Sequence, residues 1–349
     1  MTKTVTIQDV ARAVGVAKST ASAALNDKYG VAPGTREAVL QAARELGFEV
    51  NPLAQRLAHG RSDNTIGLFC RDLDVGVGTR KINRIQQLLA EQGFDVPIHA
   101  CGYHGADAAM QSELMSNLRR QKPRAIVGAV GGLHADVLAQ LERYQSEGGL
   151  VVCYDHAAPL GCDQVVFDRE DNVYRSARHL LELGHREIGL FIHGRNGIAD
   201  NAPRVAGFRR ALREYNAPCR DEWLFDGALY EEGGAQMAAR FLALPQRPTA
   251  MCIVNDYAAV AFISQLLEAG VRVPQDVSVV GHDNVAGAPY AAVPITSVSH
   301  PVEEIAAQVV ELLSSRLEGF EGGPRRVTVR GELVVRRSAA APHSKGTLS

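Results

Sequence analysis

A chain of 349 residues, 46% of them apolar and 22% charged, is long enough to bury a sizeable core and to divide into two or three lobes. The formal charge of −2 hides an asymmetry: residues 1–62 hold eight Lys/Arg against five Asp/Glu, so this head carries +3 and the remainder −5, and only the head suits a phosphate backbone. Six scattered cysteines (Cys70, Cys101, Cys153, Cys162, Cys219, Cys252) with no Cys-x-x-Cys pair exclude a zinc ribbon and a disulfide framework; no apolar run approaches a membrane span, and the N-terminus lacks the layout of a signal peptide, so a cytoplasmic protein with reduced thiols is expected.

The first predicted helix begins at Thr6, which can cap it while Asp9 reaches back, and Val10, Ala13 and Val14 supply an inward stripe at helical spacing. Gly15 allows a sharp turn. A second helix follows with Val16, Ala21, Ala24 and Leu25 facing in and Lys18, Ser19, Ser22 and Ala23 facing out, the geometry of a DNA-reading module whose small outward residues let it lie close to base edges. A third helix starts at Pro33, buries Val39, Leu40, Ala43 and Leu46, and stops at Gly47. The stretch Asn51 to Ala58 is too short to hold a helix alone in water and should fold only when something supports it.

From Thr65 onward β-rich runs alternate with amphipathic helices: strand Ile66 to Cys70, helix Ile82 to Gln92, strand Ala125 to Ala129, helix Ala135 to Ser146, strand Leu150 to Tyr154. The pattern restarts after Asp168 with a helix to Leu183, strand Ile188 to Ile192, helix Arg204 to Tyr215, strand Ala250 to Val254, helix Ala258 to Ala269 and strand Val277 to Val280. Alternation of this kind makes parallel sheets, hence two similar α/β lobes. Ligands of such sheets sit outside the carboxyl ends of the strands, where Asp155, Asn255-Asp256 and His282-Asp283-Asn284 fall, with Arg204 opening a helix nearby. Each alone is an ordinary loop or cap residue; their recurrence at four strand ends points to a cleft for sugar hydroxyls, which both donate and accept.

The Thr-Ile-x-Asp-Val-Ala opening at Thr6, the Gly15-Val16 turn, the Ser19-Thr20-x-Ser22 helix ending in Leu25-Asn26, Thr35-Arg36, Leu46-Gly47-Phe48 and Asn51-Pro52 resemble the lactose/galactose repressor (LacI/GalR-type) family of bacterial transcriptional regulators. The likeness continues through Leu180 to Arg186 and Val273 to Gly281, covering nearly the whole chain. It implies an α + α/β protein: a helix-turn-helix DNA-binding head (1–50), a hinge helix and linker (51–64), a two-lobed periplasmic-binding-protein-like core for effector binding and dimerisation (65–338), and a flexible tail (339–349). Lobe one would take about 65–164 plus 296–327, and lobe two about 165–295 plus 328–338.

The resemblance places base-edge contacts at Lys18 and Ser19, with Thr20 and Ala23 on the same DNA-binding helix and hinge contacts at Asn51, Gln55, Leu57 and Ala58; Thr6, Ser22, Asn26 and Thr35 are candidates to position phosphates, each equally readable as a simple cap or surface hydroxyl. Leu57 would wedge into a central base step from the minor groove; packing against the head is its ordinary alternative. Arg71, Asp155, Phe167, Arg204, Leu229, Asn255-Asp256 and Asp283 match effector positions. No metal, cofactor or catalytic residue is implied. The partners implied are double-stranded operator DNA, a small effector of carbohydrate type and a second copy of the chain; no membrane is involved, and the tail lacks the leucine heptads of tetrameric relatives.

Several positions depart from the family pattern. Asp72 to Gly78 replaces an Asn-Pro-Phe-Phe block, removing an aromatic wall; His282 and Asn284 replace Tyr/Phe and Asp; at Leu229 some relatives carry a stacking aromatic that Tyr230 could replace. Ala23 stands where arginine is common, losing a bidentate guanine contact of about 1–3 kcal/mol. Ala17 replaces a serine cap at a cost of roughly 1 kcal/mol. Effector-driven release of DNA is the expectation, with co-repressor-dependent binding and a transport solute-binding protein as alternatives. An enzyme using Asp283, His282 or Asp155 is disfavoured, because Gly-x-Ser-x-Gly, metal-spaced His pairs and a full dinucleotide fingerprint are missing.

Overall fold

The computed structural model describes residues 5–25, 30–48, 62–71, 73, 76–101, 107–193 and 201–343. The chain separates into two compact units, 1–63 and 64–349. In the first, α1 (Ile7–Val14), α2 (Lys18–Leu25) and α3 (Pro33–Leu46) close a small core of Val10, Ala11, Ala21, Ala24, Val39 and Ala43. Gly15 and Gly47 end α1 and α3 in the left-handed region, at φ of 72° and 66°, where glycine bears no Cβ penalty. Three expected core positions are exposed: Ala13, Leu40 and Leu46. Ala11 is buried in place of Ala13, Leu40 is turned about 100° from Val39 along the helix, and Leu46 lies in the last turn before Gly47.

The second unit carries two six-stranded sheets. Among the described residues the first contains β1 (Ser62–Cys70), β2 (Ile98–Ala100), β3 (Pro123–Ala129), β4 (Leu150–Tyr154), β5 (Asp163–Phe167) and β11 (Arg326–Val329), in the order β11-β5-β4-β3-β1-β2. The second contains β6 (Ile188–His193), β7 (Leu224–Gly227), β8 (Ala250–Ile253), β9 (Ser278–Asp283), β10 (Thr296–Ser299) and β12 (Leu333–Val334), in the order β12-β10-β9-β8-β6-β7, with β12 antiparallel to β10. Around the first sheet pack α4 (Gly76–Glu91), α5 (Ala108–Arg120), α6 (Ala135–Ser146) and α11 (Val302–Leu317); around the second, α7 (Arg169–Glu182), α8 (Asn201–Glu214), α9 (Tyr230–Ala243) and α10 (Asp256–Glu268). Residues alternate between faces, as on β1, where Ile66, Leu68 and Cys70 join one core and Phe69 the other. Among the described residues no helix is long and apolar enough to cross a membrane.

The lobe boundaries differ from the expected ones. The first sheet extends through Phe167, since β5 pairs with β4 and β11, while 296–299 pairs with β9 in the second sheet. The chain therefore crosses between sheets near 168, 300 and 330. Residues 339 and 340, expected in a flexible tail, are anchored: Ala339 packs on the second core, and Ala340 donates to Ser278 Oγ and accepts from it at its carbonyl. A carboxylate with no exposed side-chain surface, Asp163 at the start of β5, ties the lobe together by accepting from Arg316 of α11 and from Arg325. Arg316 and Arg325 hold its carboxyl below the usual carboxylate range against the opposing pull of burial.

Close helix packing in the second lobe depends on missing side chains. A Cβ on Gly207 of α8 would stand 2.0 Å from the Glu170 carbonyl of α7, and one on Gly234 of α9 2.1 Å from the Ala258 carbonyl of α10. Because rigid backbone opposes the new methyl, Gly207→Ala should cost about 1–3 kcal/mol of stability, read as a lowered denaturation midpoint; an unchanged midpoint would show that α7 and α8 part without penalty.

Candidate functional site

The head presents Lys18 and Ser19 exposed at the start of α2, with Thr20, Ser22 and Ala23 partly buried behind them and Thr35 partly buried on α3. Thr6 caps α1: its amide donates to Asp9 Oδ2 at 2.9 Å and its hydroxyl to the same oxygen at 2.6 Å. That commits the hydroxyl's proton to Asp9 at the start of α1. Ala17 offers α2 its carbonyl, which accepts from Ala21 at 3.0 Å, but no side-chain oxygen. Asn26, Asn51, Gln55, Leu57 and Ala58 lie outside the described residues.

In the core, the carboxyl ends of both sheets converge on a cavity of about 200 Å³. Arg71 follows β1, Asp155 follows β4, Phe167 closes β5, His193 closes β6, Asn255 follows β8, Asp283 closes β9 and His300 follows β10; Arg169 and Arg204 reach in from the first turns of α7 and α8. Asp155, Tyr230 and Asp283 all line it with left-handed backbone, at φ of 61°, 55° and 93°, a conformation that non-glycine residues rarely hold without surrounding support.

A polar chain spans the cavity. Lys81 of α4, 1% exposed, forms an ion pair with Asp155 and lies 3.3 Å from His300 Nε2. His300 Nδ1 faces Asp283 Oδ1 at 3.5 Å, and Asn255 Nδ2 donates to Asp283 Oδ2 at 3.0 Å while Asn255 Oδ1 caps α10. Phe167 stacks on His300 with ring centroids 3.7 Å apart. Arg169 donates to the Asp155 carbonyl at 3.4 Å, and Arg204 to Asn201 Oδ1 at 3.0 Å.

Burial works against the Asp155 carboxylate, but Lys81, Arg169 and His300 outweigh it and hold the carboxyl at about 2. Burial and the Lys81 ammonium push His300 down to about 4, so the ring is neutral at neutral pH and can meet Asp283 as an N–H donor. His193 is pushed down to about 3 by burial and by Arg204, Arg71 and Arg169 against the pull of Asp283.

The structure brings together Arg71, Asp155, Phe167, Arg204, Asn255 and Asp283 of the expected effector set. It does not bring Leu229, which sits at the N-cap of α9 outside the lining, because the first helical residue, Tyr230, is the one turned into the cavity, edge-on to Tyr257 at 5.9 Å. Asp256 is also elsewhere: it accepts from the Val285 amide and the Ser297 hydroxyl, and burial with the neighbouring Asp283 charge carries its carboxyl up to about 8. Lys81, Arg169, His193 and His300 went unanticipated. Lys81 could have been found, since it shares the i, i+4, i+8 stripe of Ile85 and Leu89 that faces the first core.

Comparison with known proteins places these two parts. A family model described as "Bacterial regulatory proteins, lacI family" matches residues 6–51, and one described as "Periplasmic binding protein-like domain" matches residues 177–339. The HTH-type transcriptional repressor PurR of Photobacterium profundum is 28% identical over 333 residues, 95% of this chain and 98% of that protein. Among solved structures, a complex of the transcriptional regulator CelR with cellobiose is 26% identical, covering 96% of this chain and 100% of that one at a TM-score of 0.71. The lac repressor dimer bound to operator and the anti-inducer ONPF shares the fold at a TM-score of 0.85 and 24% identity, covering 97% of this chain and 100% of that one.

The buried ion pair generates a prediction. Asp155→Asn leaves the Lys81 ammonium uncompensated and should cost about 3–5 kcal/mol at neutral pH, whereas adding Lys81→Met should restore much of the loss. The Asp155 carboxyl lies lower folded (about 2) than unfolded (about 3.9), so its contribution is complete above pH ~4 and lost as pH falls through ~2. Denaturant titrations should therefore show the gap between parent and Asp155→Asn closing below pH ~4; a gap independent of pH would refute the assignment.

Proposed function

We propose that the chain, a DNA-binding transcriptional regulator of the lacI family of bacterial regulatory proteins, represses transcription as a homodimer. Two heads sit on a palindromic operator, and a small molecule of sugar type in the core cavity controls their grip. The observation that carries this reading is the cavity itself, polar, enclosed by both sheets, and part of the same chain as an exposed Lys18-Ser19 reading edge. Lys18, Ser19, Thr20 and Ala23 meet base edges, with Ser22 and Thr35 positioning phosphates. The segment 51–58 orders on DNA, with Leu57 wedged at the palindrome centre and Asn51, Gln55 and Ala58 beside it.

The coupling is reciprocal. An effector that binds one arrangement of the lobes better than the other shifts the two hinge segments between ordered and disordered, and DNA shifts effector affinity by the same factor. Release of DNA by the effector is the direction we assign, and the protein works in the cytoplasm, where operator and effector are both at hand. The domain division follows the two compact units, with the sheets of the second unit as its lobes.

Purified protein mixed with fragmented DNA of its source genome at a stated moderate salt concentration should enrich a short palindrome with a flexible central step, since phosphate contacts make affinity strongly salt-dependent. On that site Leu57→Ala should weaken binding and straighten the DNA, by gel retardation and bending assay. Enrichment of no sequence by folded protein overturns the operator reading, and unchanged affinity and bend in Leu57→Ala removes the wedge alone.

A further inference from the structure

We propose that Asn172 is a specificity-determining residue of the cavity: its side-chain Nδ2 donates to an oxygen of the ligand, while a ligand hydroxyl donates to Asp155 Oδ1. The inference rests on the reading of this cavity as the effector site and adds to it a residue that selects the ligand.

Asn172 lies in the first turn of α7, is 1% exposed and lines the cavity. All of its polar groups but one are engaged within the protein. Its amide donates to the Asp168 carbonyl at 3.1 Å, its carbonyl accepts from Ser176 Oγ at 3.2 Å, and its Oδ1 accepts from the Gly331 amide at 3.0 Å. The remaining group, Nδ2, is a buried donor with no hydrogen-bond partner. The orientation of the carboxamide is fixed by Gly331, because the flipped amide would set two N–H donors against each other. The segment that carries Gly331 lies close: a Cβ there would stand 2.2 Å from the Ser299 carbonyl and 2.9 Å from Asn172 Oδ1. Asn172 is therefore held by its acceptor and leaves its donor to the cavity it lines.

A buried donor without a partner bears the full loss of its hydration until an acceptor arrives. The same cavity holds the complement. Asp155 Oδ2 is taken by Lys81, whereas Asp155 Oδ1 is a buried acceptor without a partner, and the carboxylate, held at about 2, has no proton of its own to give. One side chain thus lacks an acceptor and the other a donor, and hydroxyl groups supply both. An analogue without the matching oxygen leaves Nδ2 unpaired again, which is how a polar site rejects a ligand that lacks one hydroxyl. At about 200 Å³ the space is smaller than the roughly 300–1,000 Å³ that holds a drug-sized ligand, which points to single sugars as probes.

The test is calorimetric titration of the full-length protein with pentoses, hexoses and hexitols, followed by the singly deoxygenated analogues of whichever sugar binds. Asn172→Asp keeps an acceptor for Gly331 and loses the donor; Asn172→Ala loses both. With folding checked by circular dichroism, each variant should weaken the sugar about tenfold or more. Removal of one particular hydroxyl should weaken binding to the parent about tenfold or more and binding to the variants by less than about threefold, since the two changes remove the same hydrogen bond. A folded variant that binds the sugar within about threefold of the parent, or deoxygenation losses equal in parent and variants, overturns the assignment and leaves the sugar reading standing. A parent that tolerates every single deoxygenation overturns it without any variant. Binding of none of these sugars by folded parent overturns the sugar reading, and the role of Asn172 falls with it.

Discussion

An ammonium buried in a protein core survives only beside a charge that offsets its lost hydration, and that charge must itself be stabilised by further partners. Lys81 is in this position, and the arrangement of the core follows from it. Its counter-charge Asp155 comes from the carboxyl end of β4, and His300 Nε2 3.3 Å away comes from a crossover between the sheets. His300 then faces Asp283 on β9, which Asn255 supports from the start of α10. One lysine therefore draws strand ends from both sheets into a single cluster of buried polar groups, in which His300 Nδ1 faces Asp283 at 3.5 Å without a hydrogen bond between them.

That system needs a stiff frame, and the frame is built where side chains are smallest or most firmly paired. Gly207 and Gly234 let α7, α8, α9 and α10 pack with backbone nearly touching backbone, so the helices that present Arg169, Arg204 and Tyr230 have little freedom to slide. Asp163, engaged by Arg316 and Arg325, holds α11 and β11 to the first sheet and so fixes the return of the chain after His300. At the next crossing, Arg330 meets Asp168 at 3.3 Å, and the Gly331 amide donates to Asn172 Oδ1. Crossovers tied in this manner are where two lobes can rotate as bodies while each keeps its own core.

Legibility in the sequence followed the strength of local periodicity. Leu150–Tyr154 and Ala135–Ser146 could be bounded to the residue because a continuous β-rich run and a full amphipathic stripe end at Gly148-Gly149 and in the turn before Ala135. The short strands β7, β10 and β12, of four, four and two residues, went unassigned, as did α5, α9 and α11 although their stripes are present. Asp155, Arg204, Asn255 and Asp283 were legible because the ends of parallel strands are where ligands meet such sheets. Lys81 went unread although its place on the Ile85 and Leu89 stripe marks it as inward-facing, whereas His300 was not legible, because a histidine after an unassigned strand has no place in space until the sheet order is known. In the head, the caps and turns were readable residue by residue, while the distinction between Ala11 and Ala13 depends on the approach of α3, which no local pattern encodes.

The aromatic wall expected of the family's first strand is absent from the sequence, and the geometry shows what remains for stacking. Phe167 has one face covered by the His300 ring at an interplanar angle of 28°, so that face is closed to a ligand. The other lining aromatics, Tyr230 and Tyr257, meet edge to face and border the cavity from the second lobe. Meanwhile arginines, carboxylates and a buried lysine line the rest of the cavity. A flat, apolar ligand would gain one aromatic border and strip water from several charges, whereas a ligand bearing hydroxyls and charge replaces that water with hydrogen bonds in a site already arranged for them. The lining of this cavity is therefore dominated by charged and hydrogen-bonding groups, with the tyrosines at one edge.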